Sequence, residues 1–165
     1  MEEKYIDLNI DKEPLIKKVS SDLVINITGE SGAGKSYYTS KYKNDDNYIV
    51  IDTDVEYKNK GDLINDFDSC YIDILNKYKI QNKTLVIDSA QFRNIKDISL
   101  LQGEVIVMRT SINTCYKRCI DRYIANHPNL TEQELESYKL RKKGMYEWYH
   151  KLNDFIKRLE GINND

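Results

Sequence analysis

Apolar residues along the chain follow two periods. LVINIT (23–28), YIVI (48–51), TLVI (84–87) and EVIVM (104–108) are short, near-continuous runs rich in Val and Ile. Runs of that length and composition suit strands covered on both faces, as in a parallel sheet. Between them the spacing becomes helical. One helix is predicted over about 35–43, opening at a Gly-rich turn. A second is predicted over about 62–78, where Leu63, Phe67, Ile74 and Tyr78 share one face, and a short one near 96–101 precedes the fourth strand. Strands alternating with helices predict right-handed crossovers and a three-layer α/β domain with a parallel sheet of four to five strands.

Beyond the fourth strand the pattern stays helical. Residues 112–126 form one helix and HPNL (127–130) interrupts it. Thr131 with Glu134 is a capping-box pair opening a helix to about Lys143. A last amphipathic helix sets Tyr146, Tyr149, Leu152, Phe155 and Leu159 at core spacing, so packing is their expected role. The first twenty residues are read as YIDLNI (5–10), an edge strand, and EPLIKKV (13–19), a short helix starting at Pro14. No repeat, linker or low-complexity tract divides the sequence, and residues 1–165 are read as one domain.

Composition narrows the function classes. With 40% apolar and 32% charged residues the chain is an ordinary globular one. Lys plus Arg (25) nearly balance Asp plus Glu (27), for a net charge of -2. That disfavours broad nucleic-acid binding while leaving room for a local basic patch. No apolar run reaches the roughly 20 residues of a membrane span. The charged opening MEEKYIDLNIDKE lacks the character of a secretory leader, and a cytoplasmic location is expected. Three cysteines (Cys70, Cys115, Cys119) show neither disulfide nor zinc spacing, and neither His127 nor His150 completes a ligand cluster, so reduced thiols are expected.

Glycine is the informative residue. There are seven, and three of them fall between positions 29 and 34. Residues 29–36 read GESGAGKS, which fits G-x-x-x-x-G-K-[ST] directly after a strand and before a helix. Such glycines let backbone N–H groups close around phosphate oxygens at a helix N-terminus. The expected nucleotide-binding residues are Gly29, Glu30, Ser31, Gly32, Ala33, Gly34, Lys35, Ser36 and Tyr37. Lys35 would reach the β- and γ-phosphates, and the Ser36 hydroxyl would ligate Mg²⁺. The strand TLVID (84–88) ends in an acid, the arrangement in which Asp88 would hold Mg²⁺ directly or through water.

Asp88 begins DSAQ, not the DxxG of a GTPase, and guanine is not the expected base. The sequence over roughly 23–150 instead resembles the small P-loop kinases, the group of nucleoside-monophosphate, shikimate, gluconate and polynucleotide kinases. The resemblance implies a P-loop NTPase fold with a helical lid, here at about 126–143, and ATP with Mg²⁺ as donor. IDTD (51–54) is similar to the acidic pair of shikimate and related kinases, which implies Asp52 on the metal side and Asp54 as the base that orients the acceptor hydroxyl. Independently of the family, a carboxylate at a strand's C-terminal end beside the phosphate loop is placed to orient a nucleophile. TSINTCYKRCIDR (110–122) is similar to the segment leading into the lid. The resemblance implies Arg118 on the adenine or phosphate side and Arg122 on the γ-phosphate; the two, four apart, share a helical face. In the lid, Arg141 beside Lys142 and Lys143 is a candidate to close over the phosphates.

The departures bear on the acceptor. DSAQFRN (88–94) stands where shikimate kinases have a Gly triplet, and 62–80 contains no arginine. Shikimate is therefore disfavoured. Arg93 either binds an anionic acceptor or pairs with a neighbouring carboxylate. The expectation is an ATP/Mg²⁺-dependent phosphotransferase acting on a small-molecule or nucleotide acceptor. The alternatives are a nucleotide-binding regulatory protein without turnover and a polynucleotide 5′-kinase.

Overall fold

A computed structural model describes residues 4–162. Five strands form one mixed sheet: β1 (Lys12–Lys18), β2 (Val24–Thr28), β3 (Tyr48–Asp52), β4 (Thr84–Asp88) and β5 (Glu104–Arg109), in the order β1-β5-β2-β4-β3. The last four in that order are mutually parallel, and β1 runs antiparallel along β5. The expected all-parallel sheet is thus corrected by an antiparallel edge. The same finding corrects the reading of residues 5–19, since 5–10 form no strand and Pro14 lies inside β1 rather than at a helix start. Proline has no N–H to give a ladder and is tolerated at a sheet edge. The β1–β5 register slips between Lys12 and Leu15, around that proline.

Helices α1 (Lys35–Thr39), α2 (Thr53–Glu56), α3 (Lys60–Asn65), α4 (Phe67–Tyr78), α5 (Ile112–Asn126), α6 (Glu132–Lys142) and α7 (Met145–Glu160) complete the architecture. Several differ from expectation at their ends. The helix expected over 35–43 tightens into a 3₁₀ turn at Ser40–Tyr42. The one expected over 62–78 is two helices, broken at Asp66, whose φ of -146° is not helical. The element near 96–101 is a 3₁₀ turn at Ile98–Leu100, and another covers Ala90–Asn94. The capping box at Thr131 and Glu134 forms as the spacing predicts.

The two faces of the sheet are covered unequally. On one, Val24, Leu85, Ile87, Val105 and Val107 join Phe67, Tyr71 and Ile74 of α4, Ile112 and Cys115 of α5, and Leu152, Phe155 and Leu159 of α7 in one buried cluster. On the other, Ile27, Val86 and Ile106 are covered by partly buried side chains, among them Tyr38, Tyr42, Tyr48 and Met108. Central β2, flanked by β4 and β5, carries buried residues toward both faces, as the continuous run VINIT requires. Gly103 makes the turn into β5 with φ +74°, where a Cβ would collide with the Val24 carbonyl at 1.9 Å. The C-terminal ends of β2, β3 and β4 open on the same edge of the sheet, and the chemistry gathers there.

Candidate functional site

Residues 29–36 turn the chain from β2 into α1. Two of the glycines are required by conformation. Gly32 and Gly34 have φ of +80° and +99°, the region that L side chains rarely adopt. Gly32 also packs so tightly on α5 that a Cβ would lie 2.7 Å from the Cys115 carbonyl. The loop is tied from outside by the Thr110 hydroxyl, which donates to the Ala33 carbonyl (2.8 Å), and by Arg118 Nη1, which donates to the Gly32 carbonyl (3.2 Å). Because α1 is only five residues long, an anion at this loop would be met by backbone amides rather than by a helix macrodipole.

Lys35 folds back over this loop. Its ammonium donates to the carbonyls of Gly29 (3.0 Å) and Glu30 (3.2 Å). Burial pushes its pKa down, and the carboxylates of Asp88 and Glu30 oppose that shift. Asp88 is itself buried, and burial raises its pKa, with Lys35 pulling down and Asp52 pushing up. The Thr39 hydroxyl donates to Asp88 Oδ2 at 3.3 Å. Asp52 and Asp88 are register partners on neighbouring parallel strands, so the sheet itself puts the two carboxylates side by side.

Asp52 caps α2, its Oδ1 accepting the Asp54 N–H at 2.9 Å. That cap turns the chain at the end of β3 and sends Asp54 toward the loop. One cavity of about 490 Å³ is lined by Ser31, Gly32, Gly34, Lys35, Ser36, Tyr37, Asp52, Asp54, Asp88, Ser89, Ala90, Arg118 and Arg122. It joins a glycine loop, three carboxylates and three cations drawn from four parts of the chain. A second cavity, of about 520 Å³, shares Asp52 with the first and is lined by Tyr42, Lys43, Tyr48, Val50 and Val55 among others.

Most of the sequence-predicted residues meet in the first cavity, and the rest lie elsewhere. Gly29, Glu30 and Ala33 are buried behind the loop and face no part of the cavity. Arg93 forms a 2.9 Å ion pair with Glu30, so of its two expected roles the neighbouring carboxylate is the contact made. Arg141 lines a separate pocket with Tyr123, Gln133, Glu134 and Ser137, its guanidinium 5.3 Å from the Tyr138 ring. Sequence reasoning missed Ser89 and Ala90, which continue from Asp88 into the cavity, and Thr39, one helical turn beyond Lys35. The available signal was their closeness in sequence to an acid at a strand end and to the loop lysine.

The expectation against guanine also rested on there being no NKxD in the chain, and that is wrong: Asn59-Lys60-Gly61-Asp62 spells it. These four residues come after the edge strand β3, and none lines the cavity. Asn59 is the N-cap of α3, its side chain accepting the Gly61 N–H at 2.9 Å.

Among the described residues no three of His, Cys, Asp and Glu gather into a metal cage. The donors present, Ser36, Asp52 and Asp88, are a hydroxyl and two carboxylates, a hard-oxygen set that suits Mg²⁺. That ion keeps several waters and takes other ligands from phosphates. The three cysteines are buried and free, and burial pushes the Cys115 thiol up to about 12, which keeps it protonated and inert. No helix among the described residues is long and apolar enough to cross a membrane. No protein-family model, no curated protein and no solved structure matches the chain.

Proposed function

We propose that this chain is an ATP- and Mg²⁺-dependent phosphotransferase with a P-loop NTPase fold, moving the γ-phosphoryl group to a small-molecule or nucleotide acceptor. The observation that carries the reading is the single cavity in which Lys35, Ser36, Asp52, Asp54, Asp88, Arg118 and Arg122 meet. Loop amides and the Lys35 ammonium bind the polyphosphate, the ammonium exchanging its bonds to the Gly29 and Glu30 carbonyls for phosphate oxygens. Ser36 and Asp88, with Asp52 beside them, would hold Mg²⁺, which supplies neutralisation of phosphate charge. Arg118 and Arg122 stabilise the charge that develops on the transferring group.

Asp54 accepts the proton of the attacking hydroxyl. Its exposure suits that task, because it leaves the carboxylate open to an incoming hydroxyl at the mouth of the cavity. Phosphoryl transfer asks the protein mainly for positioning and electrostatics, and this site supplies both. Adenine is preferred as the base, since the NKxD tetrapeptide serves as a helix cap away from the cavity. The cavity sharing Asp52 with the phosphate site gives an acceptor room beside the acids. A nucleotide-binding protein without turnover would need the loop but not Asp54 in the same cavity.

The test is ADP release from ATP and Mg²⁺ across nucleosides, nucleotides, sugars and oligonucleotide 5′ ends. Acceptor-dependent release is expected with one class. ATP binding without release for any class would leave a binding protein, and release with oligonucleotide ends alone would identify a polynucleotide kinase.

A further inference from the structure

The phosphate loop contains an acid where it is to bind a polyanion. Glu30 is the second residue of the loop and only 7% exposed, and its Oε1 accepts the Ser31 N–H at 3.3 Å. A buried carboxylate behind the cradle opposes incoming phosphate and is costly unless its charge is compensated. Arg93 provides that compensation. Its Nη1 donates to Glu30 Oε2 at 2.9 Å, with both side chains largely withdrawn from water. The arginine stands in the 3₁₀ turn Ala90–Asn94, shortly beyond cavity-lining Ser89 and Ala90, and its guanidinium lies 6.0 Å from the Trp148 ring of α7. Arg158 of α7 donates to the carbonyls of Ile95 and Lys96, both at 2.7 Å, which fixes the chain just after that turn.

We propose that Arg93 is a positioning residue that neutralises Glu30, so that the loop can accept a nucleoside triphosphate, while binding the loop to the segment beyond Asp88. Arg93 acts on the polyphosphate through Glu30 and does not touch it. Glu30 in turn provides a counter-charge near the Lys35 ammonium, whose pKa it helps to hold up. The inference rests on the reading of residues 29–36 as a phosphate site.

The pair predicts an asymmetry that ordinary structural support does not. Arg93→Met exposes the bound triphosphate to an unpaired carboxylate and lowers affinity for Mg²⁺-ATP by at least about 10-fold, with a smaller loss for ADP. Glu30→Gln removes the charge yet keeps an acceptor for Arg93, and binds ATP as tightly as the parent or a few-fold tighter. The double variant Glu30→Gln/Arg93→Met returns to within about 3-fold of the parent. Calorimetry with ATP, ADP and inorganic triphosphate reads all three variants. Parent-like affinity in Arg93→Met, or a double variant no better than Arg93→Met, overturns the proposal. Should Arg93→Met not fold, Glu30→Gln decides alone, because weakened ATP binding there overturns it. A parent chain that binds none of the three probes overturns the phosphate-site reading and this inference with it, an outcome distinct from normal parent binding with no effect of the variants.

Discussion

The loop at residues 29–36 and helix α6 were both expected to handle phosphate, and they are built very differently. The loop is held by the Thr110 and Arg118 hydrogen bonds, by the Glu30–Arg93 pair and by the packing of Gly32 on α5. Helix α6 has no buried residue; its partly buried Tyr138 packs at the margin of the main core and stacks on the Tyr123 ring at 3.8 Å. A charge at a strand end or in a braced loop has its position set by the sheet. A charge on a solvated helix is placed only by that helix, and its relation to the cavity depends on where the helix sits. Arg141 therefore belongs with the weakly held half of the comparison; Arg118, although on a helix, belongs with the fixed half because α5 is anchored by buried residues and the guanidinium is bonded to the Gly32 carbonyl.

Substitutions should separate the two halves. Gly32→Ala puts a Cβ into the Cys115 carbonyl at a φ of +80°. Backbone strain of that kind costs about 1–3 kcal/mol, expected as a roughly 10- to 100-fold loss of ATP affinity by calorimetry or an equivalent fall in unfolding free energy. An unchanged protein would mean that the loop is not braced against α5.

Asp11 tests how the start of α5 is anchored. Its Oδ1 accepts the Ser111 N–H at 2.8 Å, and that bond, with help from Thr114, the Ser111 hydroxyl and Arg118, holds its pKa below 3.8. A depressed carboxylate stabilises the fold above its unfolded pKa and loses that contribution as pH falls through the native value. Asp11→Asn should be less stable than the parent at pH 7 by no more than about 1 kcal/mol, because the group is exposed. The difference should shrink toward zero as pH drops below 3.8. Thermal unfolding from acid to neutral pH reads it, and a gap that widens in acid would contradict the assignment.

Arg141→Ala is the smallest expected effect. Unfolding free energy should move by less than about 0.5 kcal/mol, the range of surface substitutions, and ATP affinity should hold within about 3-fold. A larger loss of ATP affinity with stability unchanged would show that α6 closes over the nucleotide and would dissolve the contrast between the two regions.

Much of this was legible in the sequence, for physical reasons that differ by residue. The three central strands β2, β4 and β5 announce themselves because burial on both faces leaves little besides Val and Ile. The glycine loop at residues 29–36 is legible because left-handed backbone at Gly32 and Gly34 admits few other residues. The β1 strand was not legible, since Pro14 followed by the unalternating run Leu15-Ile16-Lys17-Lys18 reads equally as a helix start. Neither was the Glu30–Arg93 pair, whose partners lie 63 positions apart and meet only because β2 and β4 are neighbours. NKxD misleads in the other direction: its letters are present, but a helix cap uses them.

The central claim is that Asp54 turns a nucleotide cradle into a phosphotransferase. The direct measurement is acceptor-dependent ADP release by Asp54→Asn beside ATP affinity for the same protein. The account predicts a fall in turnover of at least about 100-fold, the scale of losing a general base, with ATP affinity within about 3-fold of the parent. Turnover that persists in Asp54→Asn would contradict it.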